Sequence, residues 1–432
     1  MKLSGWGRYP VVDSQAQSFA SLAELRCRLA APGDLIVHAR GRSYGDSALN
    51  DRVLLTRHFN KILDFDPMAG KVTCESGVTL AELLEAFLPR GWFLPVAPGT
   101  KFISVGGAIA SDVHGKNHHQ QGCFSECVEA LELLLPDGQV VQVSRTENRP
   151  LFLATCGGMG LTGVIITASL RLLTIQSAYI RETVQRCANL LEVFERFQAN
   201  QDVPYSVAWI DCLASGKHLG RSILMLGWHT QAGSLQLPPH RPLTVPLELP
   251  SFLLNKHSVA CFNYLYYHGR PDLVAGRLTP LEDFFFPLDR IGHWNRMYGR
   301  RGFTQYQLVL PQESSLAGIT EILQRTSASG LGSFLGVLKP LGAANDNLLS
   351  FPMQGYTLAI DFKIEEKLFP FLDELDRVVL DYGGRLYLTK DVRMSRKTFC
   401  KSYPRWEEFT ALRERLGLKE KFNSRQSRRL GV

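Results

Sequence analysis

The segment Pro98–His119 reads PGTKFISVGGAIASDVHGKNHH and combines four glycines with a run of histidine and lysine. Glycine allows positive φ angles and a close approach of the backbone to a ligand. Successive exposed N–H groups can then form a concave anion site. A pyrophosphate suits such a site, although a set of tight turns gives the same pattern. The segment alone therefore indicates either a bound dinucleotide or a turn-rich loop.

Two further glycine-bearing segments favour the dinucleotide. Ala39–Asp46 follows a predicted strand, and Gly157–Gly163 contains the spacing GxGxxG. In a nicotinamide-binding Rossmann unit, that spacing follows a strand and opens a helix. Here the helix-like Leu151–Ala154 precedes it, and a β-branched, strand-like stretch follows it. The context is inverted, so a nicotinamide dehydrogenase is the weakest interpretation.

Length and composition indicate a two-domain globular protein. A single core rarely grows beyond about 250–300 residues, and this chain has 432, of which 45% are apolar and 21% charged. The net charge of +7 favours anionic ligands. No basic run interleaved with aromatic residues is present, so we expect no nucleic-acid partner.

Cysteine spacing and hydropathy indicate the cellular compartment in which the protein is expected. Nine cysteines without a CxxC pair predict free thiols rather than a disulfide framework. The chain has no signal-peptide pattern and no apolar run of about 20 residues. We therefore expect a cytoplasmic protein without a membrane span.

Hydrophobic periodicity changes from Ile175 onward. Before it, short strands and helices alternate; after it, longer amphipathic helices appear. The proline-rich stretch Thr230–Asn255 is predicted to be a mobile loop or lid. The pattern predicts the helices Ser21–Leu29, Thr79–Leu88 and Leu190–Phe197, a hairpin of Ala130–Leu135 and Gln139–Ser144, and the strands Asp34–His38, Gly70–Ser76, Tyr205–Asp211 and Tyr356–Phe362.

Segments spread along the chain resemble the vanillyl-alcohol-oxidase-type flavoproteins, which carry a PCMH-type FAD-binding domain. VGGAIASDVHGKNHH is very similar to one branch, the decaprenylphosphoryl-β-D-ribose 2'-oxidases and their bacterial homologues. The other matching segments are LSGWGR (Leu3–Arg8), GRSYGD (Gly41–Asp46), GFTQYQLVLP (Gly302–Pro311), GVLK (Gly336–Lys339) and YLTKD (Tyr387–Asp391). The resemblance therefore runs nearly from end to end.

The resemblance implies an α+β fold with two domains and FAD bound between them. Residues 1–178 would form the FAD-binding domain, and residues 385–432 would complete it. Residues 179–384 would form an inserted substrate-binding domain, built on an antiparallel sheet flanked by helices. The residues implied to bind FAD are Arg40, Gly41, Arg42, Ser43, Tyr44, Gly99, Thr100, Ser104, Gly106, Gly107, Ser111, His114, Gly115, Gly158, Gly163, Ile165, Tyr387 and Lys390.

The resemblance also implies non-covalent FAD. Relatives that attach the flavin through histidine carry that residue in the first glycine segment, where this chain reads Gly41-Arg42-Ser43-Tyr44. Bicovalent relatives have a cysteine in the stretch matching Pro98–Val105, and this chain has none there.

Lys390, His114 and Tyr44 are implied to be catalytic. In the family, the lysine matching Lys390 reaches the N1–C2 edge of the flavin, where a fixed ammonium stabilises the charge left by hydride transfer to N5. The alternative for Lys390 is a surface lysine paired with Asp391. His114 would lie beside the flavin ring and help to remove the alcohol proton, but the sequence does not settle which residue is the base.

Four further polar residues, Lys116, Gln305, Gln307 and Lys339, are implied to bind the substrate. Gln305 and Gln307 lie two apart in a predicted strand and therefore share a face, which is also the pattern of a solvated sheet face. Lys339 would either bind a substrate phosphate or extend to water.

Two local patterns limit the chemistry further. His114, His118 and His119 have no carboxylate at matching spacing, so we predict no metal site. Family members that are inhibited covalently carry a pocket cysteine where this chain has Ala359, and a nearby asparagine is Thr357 here. These departures leave the flavin chemistry in place and affect the identity of the substrate.

The implied reaction is the FAD-dependent oxidation of a sugar hydroxyl to a ketone, on a polyprenyl-phosphate pentose or another glycosyl phosphate. A short-chain dehydrogenase partner would then complete an epimerisation in cell-envelope synthesis. A lipid-phosphate substrate and a mildly basic chain are compatible with peripheral contact at the inner face of the membrane. The alternatives are a soluble sugar or alditol oxidase that uses oxygen, and a flavoprotein scaffold without turnover.

Overall fold

The structure is a computed structural model that describes residues 1–237 and 243–432. The predicted lid, Thr230–Asn255, therefore lies partly outside the described residues. Its described part includes a two-residue strand, and the guanidinium of Arg296 donates to the carbonyls of Val245 and Pro246.

Residues 1–178 contain two main sheets. One is antiparallel with five strands in the order β10-β9-β11-β7-β6, and the other is parallel with the order β3-β5-β4. The elements are β1 (Lys2–Leu3), β2 (Val12–Asp13), β3 (Gln15–Ser18), α1 (Leu22–Ala30), β4 (Ile36–His38), β5 (Arg52–Leu55), β6 (Ile62–Asp66), β7 (Lys71–Glu75), α2 (Leu80–Phe87), β8 (Trp92–Phe93), α3 (Val105–Ala110), α4 (His118–Gln121), β9 (Val128–Leu134), β10 (Val140–Ser144), α5 (Arg149–Thr155), β11 (Val164–Arg171) and β12 (Leu173–Thr174).

Local sequence signals account for several of these elements. α2 begins with a capping box, in which Thr79 Oγ1 accepts from the Glu82 amide at 3.1 Å and Glu82 accepts from the Thr79 amide at 2.7 Å. Its apolar stripe, which includes Leu83 and Phe87, is buried. β9 and β10 form the predicted hairpin, and α5 and β11 flank the GxGxxG spacing as helix and strand. The predicted helix Thr79–Leu88, the predicted hairpin and the inverted context of the GxGxxG spacing are confirmed.

From residue 179 onward the chain builds an eight-stranded sheet, in the order β17-β13-β15-β14-β20-β21-β19-β22, whose neighbouring strands are antiparallel. The elements are β13 (Tyr179–Cys187), α6 (Leu190–Ala199), β14 (Tyr205–Ile210), β15 (Ser222–His229), β16 (Leu243–Thr244), α7 (Lys256–His268), β17 (Leu273–Pro280), α8 (Leu281–Phe285), β18 (Ile291–Gly292), β19 (Phe303–Pro311), α9 (Gln312–Ser329), β20 (Gly332–Leu341), β21 (Gly355–Lys363), α10 (Leu368–Asp381), β22 (Arg385–Leu386), α11 (Arg396–Ser402), α12 (Trp406–Arg415) and α13 (Arg425–Leu430).

The two faces of the large sheet have different environments. α6, α9 and α10 cover one face, with contacts such as Phe194 on Tyr356 and the hydrogen bond from the Tyr306 hydroxyl to Asp376. Strand alternation sends Gln305 and Gln307 to the opposite face. The mixed architecture with antiparallel sheets is the predicted α+β fold, and the assignment of three domain segments remains a prediction.

The C-terminal helix α13 joins two distant loops. The guanidinium of Arg429 pairs with Asp46 and with Asp391, each at 2.8 Å. The two loops also touch directly, since the Tyr44 amide donates to the Thr389 carbonyl at 3.0 Å. Only glycine fits at position 45, because a Cβ there would lie 1.7 Å from the carbonyl oxygen of Asp391. Residues 44 and 390 are therefore held side by side.

Two global properties bear on the sequence predictions. Within residues 1–237 and 243–432, no helix is long and apolar enough to cross a membrane. All nine cysteines fall in this described part, and they are present as free thiols.

Candidate active site

A cavity of about 800 Å³ lies between the glycine-rich loops and the open face of the large sheet. This volume is within the roughly 300–1,000 Å³ typical of ligand pockets. Every predicted site residue lines it except Gly158. A Cβ at Gly158 would meet the carbonyl oxygen of Ala154 at 1.9 Å, so this glycine serves close packing while Met159 and Gly160 line the cavity.

The loop that contains Gly41, Arg42 and Ser43 forms one wall of the cavity. The backbone N–H groups of these residues donate to no acceptor among the described residues. Gly41 has φ +60, a conformation that glycine adopts without strain. The Arg42 guanidinium stacks 4.1 Å from the ring centroid of Trp6. Three unpaired donors beside a guanidinium fit the pyrophosphate of a dinucleotide.

The open face of the large sheet forms the floor of the cavity, and strand register decides which side chains lie on that floor. Gln305 lies opposite Asp361, and Gln307 lies opposite Ala359. In the next strand, Lys339 lies opposite Thr357. Residues directly opposite each other on neighbouring strands share a face. The glutamines therefore face the cavity rather than bulk solvent, and Gln307 is only 6% exposed.

His114 is hydrogen-bonded to both sides of this floor. Its Nε2 lies 3.0 Å from Nε2 of Gln307, and its Nδ1 lies 3.3 Å from Nζ of Lys339. Its ring also stacks on Phe351. Burial, followed by the charge of Lys339, holds the pKa of His114 well below its usual value. His114 is therefore a neutral imidazole at physiological pH.

Three lysines converge on the cavity, and burial depresses the pKa of each. The pKa of Lys116 falls to about 7, although the nearby Glu182 opposes the shift. The pKa of Lys339 also falls to about 7, because of burial and then repulsion from Lys116 and Lys390. Burial lowers the pKa of Lys390 as well, and Asp361 opposes this. Lys339 is thus an amine that gains and loses its proton near neutral pH.

Lys390 faces the cavity and not the protein surface. Its Nζ lies 4.0 Å from the ring centroid of Tyr44, a cation–π distance. Asp391, the alternative partner, is instead paired with Arg429. The interpretation of Lys390 as a surface lysine paired with Asp391 is therefore wrong.

Asp361 is a buried residue beside the site that the sequence analysis missed. It is fully buried and accepts hydrogen bonds from Gln305 Nε2 at 2.7 Å and from the Tyr298 hydroxyl at 3.2 Å. Its charge opposes the depression of the Lys390 pKa. The signal was a lone carboxylate in the apolar strand Tyr356–Phe362, on the same alternation as Ala359.

The other two histidines of the glycine-rich segment have structural partners. His118 Nδ1 accepts from the Gly342 amide at 3.0 Å, and His119 Nε2 lies 2.8 Å from the Val203 carbonyl. Within the described part of the chain, no group of three or more His, Cys, Asp or Glu residues could hold a metal ion.

Comparisons with known proteins agree with this geometry. Residues 22–144 match the FAD binding domain family. The chain is 36% identical to decaprenylphosphoryl-β-D-ribose oxidase of Mycolicibacterium smegmatis, over 99% of this chain and 97% of that protein. It is 32% identical to an uncharacterized Streptomyces coelicolor protein, over 82% of this chain and all of that one. Similarity to the rat Δ(24)-sterol reductase is 28% identity over 38% of this chain and 31% of the reductase.

The cavity, its unpaired N–H groups and the full-length match lead to one conclusion. FAD is the cofactor of this protein. The chain is an FAD-dependent oxidoreductase that belongs to the decaprenylphosphoryl-β-D-ribose oxidase family.

Proposed function

We propose that the protein oxidises a hydroxyl group of a polyprenyl-phosphate pentose to a ketone. The observation that carries this proposal is one continuous cavity with three kinds of lining. The unpaired N–H groups of residues 41–43 suit the pyrophosphate of FAD, and Lys116, which lines the cavity with Lys339 and Lys390, suits a sugar phosphate. Beyond them, the floor becomes apolar at Val207, Trp209 and Met225, which suits a lipid chain.

When bound, FAD would supply a hydride acceptor. The loop at residues 41–43 and the segment around Gly106 would hold this cofactor, and we propose that they do so without a covalent bond. No cysteine is among the cavity-lining residues of the described chain, and both ring nitrogens of His114 already have partners. Acid precipitation should therefore leave the yellow colour in the supernatant.

His114 and Lys339 are proposed to remove the hydroxyl proton together. The Gln307 amide donates to His114 Nε2, so the single N–H of the neutral ring is at Nδ1 and points at the Lys339 amine. The hydroxyl proton would pass to Nε2 in place of the Gln307 hydrogen bond. The Nδ1 proton would pass to Lys339, which becomes an ammonium. A pKa of about 7 suits Lys339 to this role at neutral pH.

Lys390 and Tyr44 are proposed to act as a unit. Lys390 would stabilise the negative charge that develops on the cofactor when the hydride arrives. Burial raises the pKa of Tyr44 well above its usual value, so its phenol stays neutral and does not act as a base. The Tyr44 ring, 4.0 Å from Nζ, instead positions the ammonium of Lys390.

Lys116 and Gln305 are proposed to bind the sugar phosphate and its hydroxyl groups. Ala359 leaves the floor opposite Gln307 smaller and less polar than the cysteine of some relatives, while Thr357 accepts from Gln307 at 3.2 Å. A lipid-linked substrate also implies peripheral contact with the membrane that holds it. A short-chain dehydrogenase partner stays a prediction.

Anaerobic bleaching of the bound FAD tests the proposal. A polyprenyl-phosphate pentose should bleach the flavin rapidly, and free sugars should bleach it slowly. Bleaching by free sugars or alditols, with peroxide formed in air, would instead identify a soluble oxidase. If no sugar or lipid-linked sugar reduces the flavin, the scaffold hypothesis replaces the enzyme.

A further inference from the structure

Exposed apolar side chains are concentrated in one stretch of the described chain, residues 243–278. Nine of the nineteen large apolar side chains that are exposed among the described residues lie there. The most exposed are Leu243, Leu247, Phe252 and Leu265, with exposed fractions of 75%, 74%, 72% and 63%. Exposed leucines scattered along a chain are ordinary, but their concentration in neighbouring segments indicates a binding surface.

Helix α7 forms the centre of this surface. It is anchored by a narrow buried stripe, Val259, Asn263 and Tyr267, in which Asn263 donates to Asp211 at 2.7 Å. Away from this stripe, Phe262 and Leu265 are exposed at 47% and 63%, and the Phe262 ring lies against Tyr266 and Phe334. α7 is therefore fixed to the sheet mainly through this stripe, and about half or more of the Phe262 and Leu265 side chains stays exposed among the described residues.

The charge around α7 is basic. Between Leu249 and Pro271 the chain contains Lys256, Arg270 and two histidines, and no aspartate or glutamate. The nearest acidic residues along the chain, before and after this stretch, already have partners: Glu248 pairs with Arg8, and Asp272 pairs with Arg186. A helix with exposed aromatic and leucine side chains and basic neighbours is typical of segments that lie in the interface of an anionic membrane.

The surface is continuous with the cavity. Tyr266 of α7 and the neighbouring Arg270 line the cavity, and the Tyr266 ring packs 4.8 Å from that of Trp209 on the floor. Leu278 of β17 both lines the cavity and is 47% exposed. The same residues thus surround the apolar end of the cavity and belong to the exposed patch.

We propose that α7 and its flanking segments 247–254 and 273–278 dock on an anionic lipid bilayer, so that the apolar end of the cavity opens at the membrane. Phe262 and Leu265 would enter the headgroup region, while Lys256 and Arg270 contact lipid phosphates. The inference deepens the proposed function, since a lipid-linked sugar would reach the cavity from the bilayer. The docking surface itself is defined by exposure and charge and is independent of the reaction.

The test is flotation of the full-length holoenzyme with vesicles of phosphatidylcholine, with and without phosphatidylglycerol. Wild-type protein should float with the anionic vesicles, and less of it should do so as salt increases. The double variant Phe262→Glu/Leu265→Glu should bind at least about tenfold more weakly, because two apolar side chains no longer enter the lipid. The matched control, Leu191→Glu/Leu416→Glu, changes two exposed leucines outside the patch and should bind like wild type.

FAD content and far-UV circular dichroism should be unchanged in both double variants, since all four side chains are exposed. Equal vesicle binding by the α7 variant and wild type, or no binding by wild type, overturns the proposal. Loss of self-association in the α7 variant without any lipid binding would overturn it in favour of an interface between copies. Vesicle binding without flavin bleaching by any polyprenyl-phosphate sugar would refute the proposed substrate and leave the docking surface standing.

Discussion

Replacement of Lys390 by methionine isolates the proposed charge stabilisation. Methionine keeps most of the side-chain volume and removes the ammonium beside Tyr44. Loss of one preorganised group that stabilises developing charge typically costs about 10²–10³ in rate, or roughly 2.7–4 kcal/mol. Because Asp361 partly offsets the positive charge, we expect the lower end, about 10²-fold slower flavin reduction.

The loss of the Lys390 charge should also lower the reduction potential of the bound FAD. For a two-electron couple, about 1.4 kcal/mol corresponds to roughly 30 mV, so about 2.7 kcal/mol predicts a reduction potential lower by roughly 60 mV. FAD should remain bound, because the N–H groups at residues 41–43 are untouched. Asp361, left without its cationic neighbour, should protonate rather than remain an isolated buried charge.

Stopped-flow bleaching under anaerobic conditions measures the rate, and a dye-coupled titration measures the potential. Lys401→Met provides the control, since Lys401 is exposed. A Lys390→Met enzyme that reduces its flavin within threefold of wild type, at an unchanged potential, would refute the role assigned to Lys390.

Three further outcomes follow from the site. The kcat/KM for flavin reduction should rise as the pH increases through about 7, because the proton transfer from His114 needs the neutral amine of Lys339. The Lys339→Met variant should have a low rate that does not rise in this pH range. Asp361→Asn removes the charge that raises the Lys390 pKa. Lys390 should then lose its proton at a lower pH, and the rate of flavin reduction should fall at a correspondingly lower pH. An unchanged pH profile would contradict the interaction between Asp361 and Lys390. Arg429→Ala leaves two buried carboxylates without their cationic partner and should lower the free energy of unfolding by about 3–5 kcal/mol. The control, Arg428→Ala, breaks an exposed ion pair and should lower it by about 0–1 kcal/mol. Equal thermal midpoints for the two variants would count against the buried network.

Features that depend on neighbouring residues were predictable from the sequence. The capping box at Thr79 and the hairpin of β9 and β10 follow from spacing alone. The shared face of Gln305 and Gln307 follows from strand alternation. Three glycine-rich segments together favoured an anion site over a set of tight turns, because glycines after strands allow the backbone to approach a ligand closely. The cofactor within that site came from the resemblance to a family.

Features that depend on strand register or distant contacts were not predictable. Asp361 matters because β19 and β21 align it with Gln305, 56 residues away in the chain. Arg429 pairs with Asp46 across 383 residues. Neither contact leaves a periodic signal. Gly158 is the opposite case, a residue predicted to bind FAD that does not line the cavity. It belongs to the GxGxxG spacing, but its role is close packing against Ala154.

The bond between Arg429 and the two loops has a consequence for the synthesis of the protein. Residues 44 and 429 are separated by 385 positions, and ribosomes add roughly 5–20 residues per second. The loop that contains Tyr44 therefore leaves the ribosome about 20–80 s before the residue that fixes it. Throughout that interval the loop that contains Tyr44 and Asp46 lacks its contact with Arg429, while the eight-stranded sheet is being translated. We expect FAD to be captured only after α13 has emerged, so that cofactor loading follows the synthesis of the eight-stranded sheet.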